Sequence, residues 1–492
     1  MRIWSIVLMG LVAVLAIIGA IIPGSGSSKE DLVVVDARDI LTEIKDGRAV
    51  ERHHVRIVGD LDLRGLEGPV RSSITIVDCE VQDPVRMEGA IFDSTVSFEE
   101  TAFENMVLFS EARFNDSADF SFAAFEDTVF FDSAVFEGEA EFCGTRFGRD
   151  AYFSNAVFFE TCDFNFTRFA EEYVLFDGVR FLDDAHFEDA ELGRWTNFYG
   201  STFSGVADFL LATFPGRSFI ANVTFEGDAN FAGVEFGSFA EFEDSRFDGD
   251  FLLYGSTISY MKLNGTTFGE GSRVHLNNTE IEGFVIPWRT MEDHLVFRDE
   301  VYMGLVENYK RLGWFQDADD CYYHYRKLAQ ERKDLGWSKA IDYLAWLSCG
   351  YGVRPDYTVA WSFSIIIIFG AVFYLGKGLL QSERRDAENG MVAEPSGAGG
   401  EDWSLEVEPG GIGEDPPPRA ARHRHDLGGA SSGPEHPSFG EAMYFSSLVF
   451  IAQAPAYYQA LGRYKYLVIA EGILGWLMLA LFLVGLGKVM IR

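Results

Sequence analysis

The sequence predicts a mainly β chain whose greater part is a parallel coil with four short sides per turn, followed by an α-helical hairpin and a transmembrane α-helical domain. Three observations predict this. Phenylalanine recurs every eleven residues at Phe92, Phe103, Phe114, Phe125, Phe136, Phe147, Phe158 and Phe169. A second series, Phe98, Phe109, Phe120, Phe131, Phe142, Phe153 and Phe164, runs between them, so the spacing alternates six and five. Beyond Ile286 the period changes to a helical one, and long apolar runs follow.

The repeat decides the fold. A helix advances about 100° per residue, so a 5/6 alternation would spread the rings over two stripes roughly 140° apart. The residue two places before each Phe is small or β-branched, as at Ala112, Ala118, Ala123, Val129 and Ala140. On an extended backbone, side chains two apart share a direction, so each Phe points inward with its small partner. Turns of Asp, Gly, Ser, Asn and Glu separate these inward triplets. Four sides close a coil at about 22 residues, and stacked coils hydrogen-bond one another at about 4.8 Å. One residue is inserted near Ala170 to Tyr173, after which the ladder continues through Phe176, Phe181 and Phe187 to Phe247. Residues 57–286 hold roughly ten coils, a length on the order of 50 Å.

The A-x-F units with polar turns, GEAEFCGTRF and EGDANFAGVEF, resemble pentapeptide-repeat proteins. That resemblance implies a right-handed quadrilateral parallel β-helix. The strict period of five is replaced here by the 5/6 alternation.

The other elements follow in order. Residues 1–28 contain Ile3 to Ile22 without a charge, enough to span a bilayer as an anchor or to serve as a signal peptide. Residues 29–56 form a capping helix and first strand. Asp36 is its N-cap and Ile40, Leu41 and Ile44 its apolar face, suited to covering the open first coil. Residues 287–356 form an α-helical cap and connector. Val301, Leu305, Tyr309 and Leu312 lie on one helix and Phe315, Ala318, Tyr322, Tyr325 and Leu328 on the next, with Gly313 between them. Residues 357–380 are a transmembrane helix and 381–438 a disordered acidic Gly/Pro-rich linker. Residues 439–492 hold an apolar helix too short to cross a bilayer and a last transmembrane helix.

Two spans bracketing a short apolar helix resemble a two-helix potassium-channel-like pore domain. GEAMYFSSLVF (440–450) is similar to the pore helix and AEGILGWLMLALFLVGLGK (470–488) to the pore-lining helix. GYGVRPDYTVAW (350–361), with DADDCYYHYR upstream, resembles the junction in prokaryotic pentapeptide-repeat proteins that carry such a domain. The selectivity filter departs from the family. Where T-V-G-Y-G would align carbonyls on the axis, this chain has Ala452, Gln453, Ala454, Pro455, Ala456 and Tyr457. Glycine is missing and Pro455 fixes φ, which argues against potassium selectivity of that kind. Glu471, near the start of the last span, is a candidate pore-mouth residue. It is read as facing a water-filled mouth or a neighbouring helix, or else as lying at the headgroup level.

Acidic residues outnumber basic ones 76 to 40, for a net charge of -36, so the surface repels nucleic acid. No H-E-x-x-H or phosphate-cradling glycine loop is present, and an enzyme is not expected. Catalytic residues, cofactors and metal ligands are expected to be none. His423 and His425 lie in the linker, and Glu139 and Glu141 read as solvated surface. The five cysteines, at 79, 143, 162, 321 and 349, make no C-x-x-C pair, and Cys162 fits the small inward position. Five N-x-S/T triplets, at Asn115, Asn165, Asn222, Asn264 and Asn277, suit turns, and become glycan acceptors if the repeat lies outside the cell. Basic residues flanking the second span barely favour either orientation.

The expectation is therefore a non-enzymatic multi-pass protein of the cell membrane. Its β-helix acts as an interaction scaffold for a protein partner of unknown identity, and the pore-like module anchors it in the lipid bilayer. The alternative is a functional cation channel, a homotetramer by the resemblance, with the β-helix as its gating or assembly domain.

Overall fold

The computed structural model describes residues 32–169, 173–381, 436–453 and 457–490. The chain divides into two compact units, Met1–Tyr325 and Arg326–Arg492. The expected N-terminal apolar segment and most of the linker lie outside the described residues.

The first unit is a parallel β-solenoid. One turn consists of Val96–Ser97, Ala102–Phe103, Val107–Leu108 and Arg113–Phe114, which define its first to fourth faces in that order. The next turn begins 22 residues on, where Ala118 pairs with Val96 in parallel. The first and third faces are 11-stranded sheets and the fourth is 9-stranded. The second face is a 7-stranded and a 4-stranded sheet, joined through bridges from Glu191 to Arg168 and to Thr213.

Such short strands persist because each contributes one inward side chain while its backbone pairs with the turns above and below. Ala118 and Phe120 point inward around the outward Asp119. At the equivalent corner one coil earlier, a tight turn puts the backbone N–H of Thr101 3.1 Å from the Phe98 carbonyl, with Glu100 at φ 55°. Positive φ at the third residue marks a type II turn. Polar residues and glycine fill most of these corners, as expected, but Phe122, Phe166 and Leu211 also occupy them, at φ 57°, 57° and 59°.

Inside, the two phenylalanine series resolve into four columns, and every core phenylalanine from Phe92 to Phe187 is buried. Phe142 stacks between Phe120 and Phe164 at 5.0 and 4.7 Å and meets Phe131 edge-on at 87°. Aromatic pairs in these geometries add about 0.5–1.5 kcal/mol each beyond area burial. The inserted residue shows in the pairing as one longer step. Ala151 pairs with Val174 and Cys162 with Ala185, one residue beyond the usual step, and the register then resumes.

Helix α1 (Ala37–Lys45) begins at Asp36, whose side chain accepts from the Arg38 N–H, and buries Ala37, Ile40 and Ile44. A strand that the sequence did not announce, Val33–Asp36, precedes it and pairs with Val55–Val58. Three valines before a helix cap are too short a run to show a period. At the other end come α2 (Trp288–Met291), α3 (Asp299–Arg311) and α4 (Phe315–Arg332). The buried Asn308 amide pairs with both the N–H and the carbonyl of Phe284, at 3.1 and 2.8 Å, and so serves as a further rung for the last strand.

The second unit holds α5 (Trp337–Cys349), α6 (Pro355–Leu375), α7 (Phe439–Phe450) and α8 (Tyr464–Met490). Leu379–Gln381 and Tyr458–Ala460 form an antiparallel pair between them. That pair was not anticipated from sequence, while α5 falls within residues 287–356, read as helical, as a further helix beyond the hairpin. α7 starts with a capping box between Ser438 and Glu441 and packs Phe445 and Val449 against Phe373 of α6. Gly475 of α8 lies so close to α7 that a Cβ there would sit 2.0 Å from the Phe450 carbonyl oxygen. α6 and α8 are long and apolar enough to cross a membrane, with mean hydropathy 2.1 and 2.4 over their most apolar stretches.

Candidate functional site

All four faces share the same kind of interior, so what distinguishes them is outside. On the third face the strands lengthen after the insertion to three residues: Tyr173–Leu175, Trp195–Asn197, Arg217–Phe219 and Phe239–Glu241. A three-residue strand shows two outward side chains around one inward, where the two-residue strands elsewhere show one. The pairing aligns Tyr173, Trp195, Arg217 and Phe239 in one outward column, with Leu175, Asn197, Phe219 and Glu241 beside it.

The result is an exposed aromatic and cationic stripe on a protein of net charge -36. The Arg217 guanidinium lies 5.8, 6.0 and 5.5 Å from the ring centres of Trp195, Phe219 and Phe239. Lys262 lies 5.4 Å from Phe239, whose other neighbour is Tyr260 at 5.5 Å. Cations held over ring faces contribute about 0.5–1 kcal/mol at exposed sites. A shallow hollow of about 240 Å³ is lined by Trp195, Asn197, Tyr199 and Phe219. Sequence reasoning missed this stripe. Its signal was the spacing of Trp195, Arg217 and Phe239, one coil apart and off the A-x-F register.

The first face is the opposite. Asp119, Glu141, Asp163, His186 and Asp208 stack outward on consecutive turns. Burial, then the neighbouring carboxylates, pushes the Glu141 carboxyl up, with His186 opposing. Burial also raises Asp163, against the Asn165 backbone N–H and His186. Glu141 thus belongs to a ladder of stacked acids, with the exposed Glu139 at the corner beside it. Among the described residues no group of His, Cys, Asp and Glu is placed to hold a metal ion. The asparagines of the N-x-S/T triplets sit at corners, and several bond through their side chains: Asn115 donates to Asp93, Asn264 to Glu243, and Asn165 accepts from the Glu188 N–H.

In the second unit, Glu471 of α8 is fully buried and meets the Ser446 hydroxyl of α7, so it faces a neighbouring helix, one of the positions its sequence left open. Ser446 in turn lies 2.9 Å from the Ile366 carbonyl of α6. The filter-equivalent stretch begins as a helix C-cap. Ala452, at φ 57°, donates to the Val449 carbonyl and Gln453 to that of Leu448, the paired bonds of a Schellman motif. Tyr457 is exposed, and Ala454, Pro455 and Ala456 lie outside the described residues, as do His423 and His425. On α5, Trp337, Ile341 and Leu344 form an exposed apolar stripe at helical spacing, at 88%, 62% and 66% exposure. Asp342 of the same helix is ion-paired with Arg326 and Lys333.

The family model for pentapeptide repeats, in nine copies, matches residues 109–157. That match lies within the β-solenoid and does not reach the helical unit. Comparison with curated proteins and with solved structures found no match.

Proposed function

We propose that this chain is a non-enzymatic membrane-anchored scaffold whose β-solenoid presents its third face to a protein partner. The observation that carries the reading is the stripe from Tyr173 to Tyr260, in which Trp195, Arg217 and Phe239 are held outward together. Aromatic residues and arginine dominate binding energy at protein interfaces, and Arg217 and Lys262, set beside Glu241 and Glu243, give the stripe a charge pattern by which it selects its partner. The matching surface is a protein segment with carboxylates set among apolar side chains.

Anchoring is inferred from exposure. Only 22% and 17% of the apolar windows of α6 and α8 are buried within the chain, whereas the core helix of a soluble protein would be mostly covered. The apolar stripe of α5, with a Trp at its start and charge on its other side, suits an interfacial helix. The test combines alkaline extraction of membranes with co-purification. The full chain stays in the membrane pellet, and Trp195→Ala with Arg217→Ala loses the partner without leaving the membrane. Release of the wild-type chain by alkali, or a partner retained by the double variant, contradicts the proposal.

A conducting pore is the second reading, favoured by the packing of the short α7 against both long helices. Cation flux in liposomes that Gln453→Ala abolishes would establish it over the anchor.

A further inference from the structure

The three helices α6, α7 and α8 meet at one polar cluster within an apolar bundle. Glu471 and Ser446 are both fully buried. Ser446 Oγ contacts two acceptors at once, the Ile366 carbonyl at 2.9 Å and Glu471 Oε1. Among the described residues Glu471 Oε2 has no hydrogen-bond partner.

A serine hydroxyl has one hydrogen. If it goes to the Ile366 carbonyl, the contact with Glu471 lacks a hydrogen unless the carboxyl supplies one. If it goes to Glu471 instead, the 2.9 Å contact with Ile366 sets two oxygens together without a hydrogen, and a buried carboxylate keeps a bare oxygen. Only a protonated carboxyl satisfies both contacts, as a chain running from Glu471 O–H to Ser446 Oγ and from Ser446 O–H to the Ile366 carbonyl. Among the described residues no counter-charge is paired with Glu471: α8 itself carries Tyr464, Lys465 and Tyr466 at its start, and α5 carries Lys339 and Asp342, the latter held by Arg326 and Lys333. α6 carries Asp356, Tyr357 and Tyr374 near its ends, and α7 carries Glu441 and Tyr444 in its first half. Glu441 is itself taken up by the Ser438 N–H at 2.7 Å. An unpaired charge there would be expelled or neutralised.

We propose that Glu471 is a proton-binding site of the helical module, held in its protonated form by the hydrogen-bond chain through Ser446 to the Ile366 carbonyl. The bound proton ties α8 to α7 and, through Ser446, to α6. Its loss leaves a bare buried carboxylate, so release of the proton loosens the packing of the three helices. Glu471 thereby couples the state of the module to pH.

The test is infrared spectroscopy of the full chain in lipid nanodiscs, with carbon-13 in the glutamate carboxyls. At pH 7 the wild type shows the carbonyl stretch of a protonated carboxyl. Glu471→Gln removes that band, Ser446→Ala moves it to higher frequency by taking away its hydrogen-bond acceptor, and raising the pH abolishes it in the wild type. Should the glutamine variant fail to fold, the Ser446→Ala shift and the wild-type titration decide. Absence of the band from the wild type at pH 7 overturns the assignment. So does its loss on adding sodium at fixed pH, which would place a metal cation between these oxygens. The band reports the carboxyl whether or not the third face has a partner, so the two proposals fail separately.

Discussion

The first and third faces of the solenoid have the same inside and opposite outsides. Inward, the first face stacks Ala118, Ala140, Cys162 and Ala185, while the third stacks Val129, Ala151, Val174 and Thr196, all small and all buried. Outward, the first shows carboxylates one above another, and the third shows Trp195, Arg217 and Phe239. Packing around the phenylalanine columns leaves the interior no choice. The exterior is free, so a departure from acidic monotony there carries information about function that the core cannot.

The comparison breaks first if the shared interior is removed. Phe142 packs against six buried rings, and Phe142→Asp would place an unpaired carboxylate among them at a cost of about 4 kcal/mol or more. Loss of the cooperative thermal transition and of protease resistance is expected on both faces together. A smaller change acts on one corner only. A Cβ on Gly216, just before the third-face strand Arg217–Phe219, would lie 1.9 Å from the Arg194 carbonyl oxygen of the preceding turn. Gly216→Ala should therefore destabilise the solenoid by about 2 kcal/mol, seen in chemical denaturation.

Next in size are charge effects on the first face. Its raised carboxyls hold their protons more tightly folded than unfolded. The penalty is thus full above the folded pKa and gone below the unfolded one, and stability rises as pH falls from neutral through that window. Asp62 runs the other way. The Arg64 guanidinium donates to it and holds its carboxyl down at about 2, so its contribution is present at neutral pH and is lost only in strong acid. Denaturation midpoints measured against pH should show the first trend, and Glu141→Gln with Asp163→Asn should flatten it. Smallest is a rate effect. Burial, aided by Asp163 and Glu141, pushes the Cys143 thiol up to about 12, so thiol reagents should label it slowly at pH 8 and faster in Glu141→Gln.

The repeat, the small inward partners and both long apolar helices were legible in the sequence because each is periodic or long. The lengthened strands of the third face were not. They follow a single slip in the phenylalanine spacing near position 170, and their outward positions lie off that spacing, so the repeat carries no mark of them. Strand Val33–Asp36 and the pair Leu379–Gln381 with Tyr458–Ala460 were hidden for a different reason, since short strands are defined by their partners. Glu471 was visible as a charge in an apolar run, but its meeting with Ser446 joins helices 25 positions apart in sequence and follows only from packing.

The central claim is that function resides on one face. A photo-cross-linking amino acid placed at Trp195 and, separately, at Asp119 of the full chain in intact cells tests it most directly. The account predicts a discrete protein adduct from position 195, competed by an acidic peptide with apolar flanks, and none from 119. Adducts of equal yield from both positions, or from 119 alone, would contradict it.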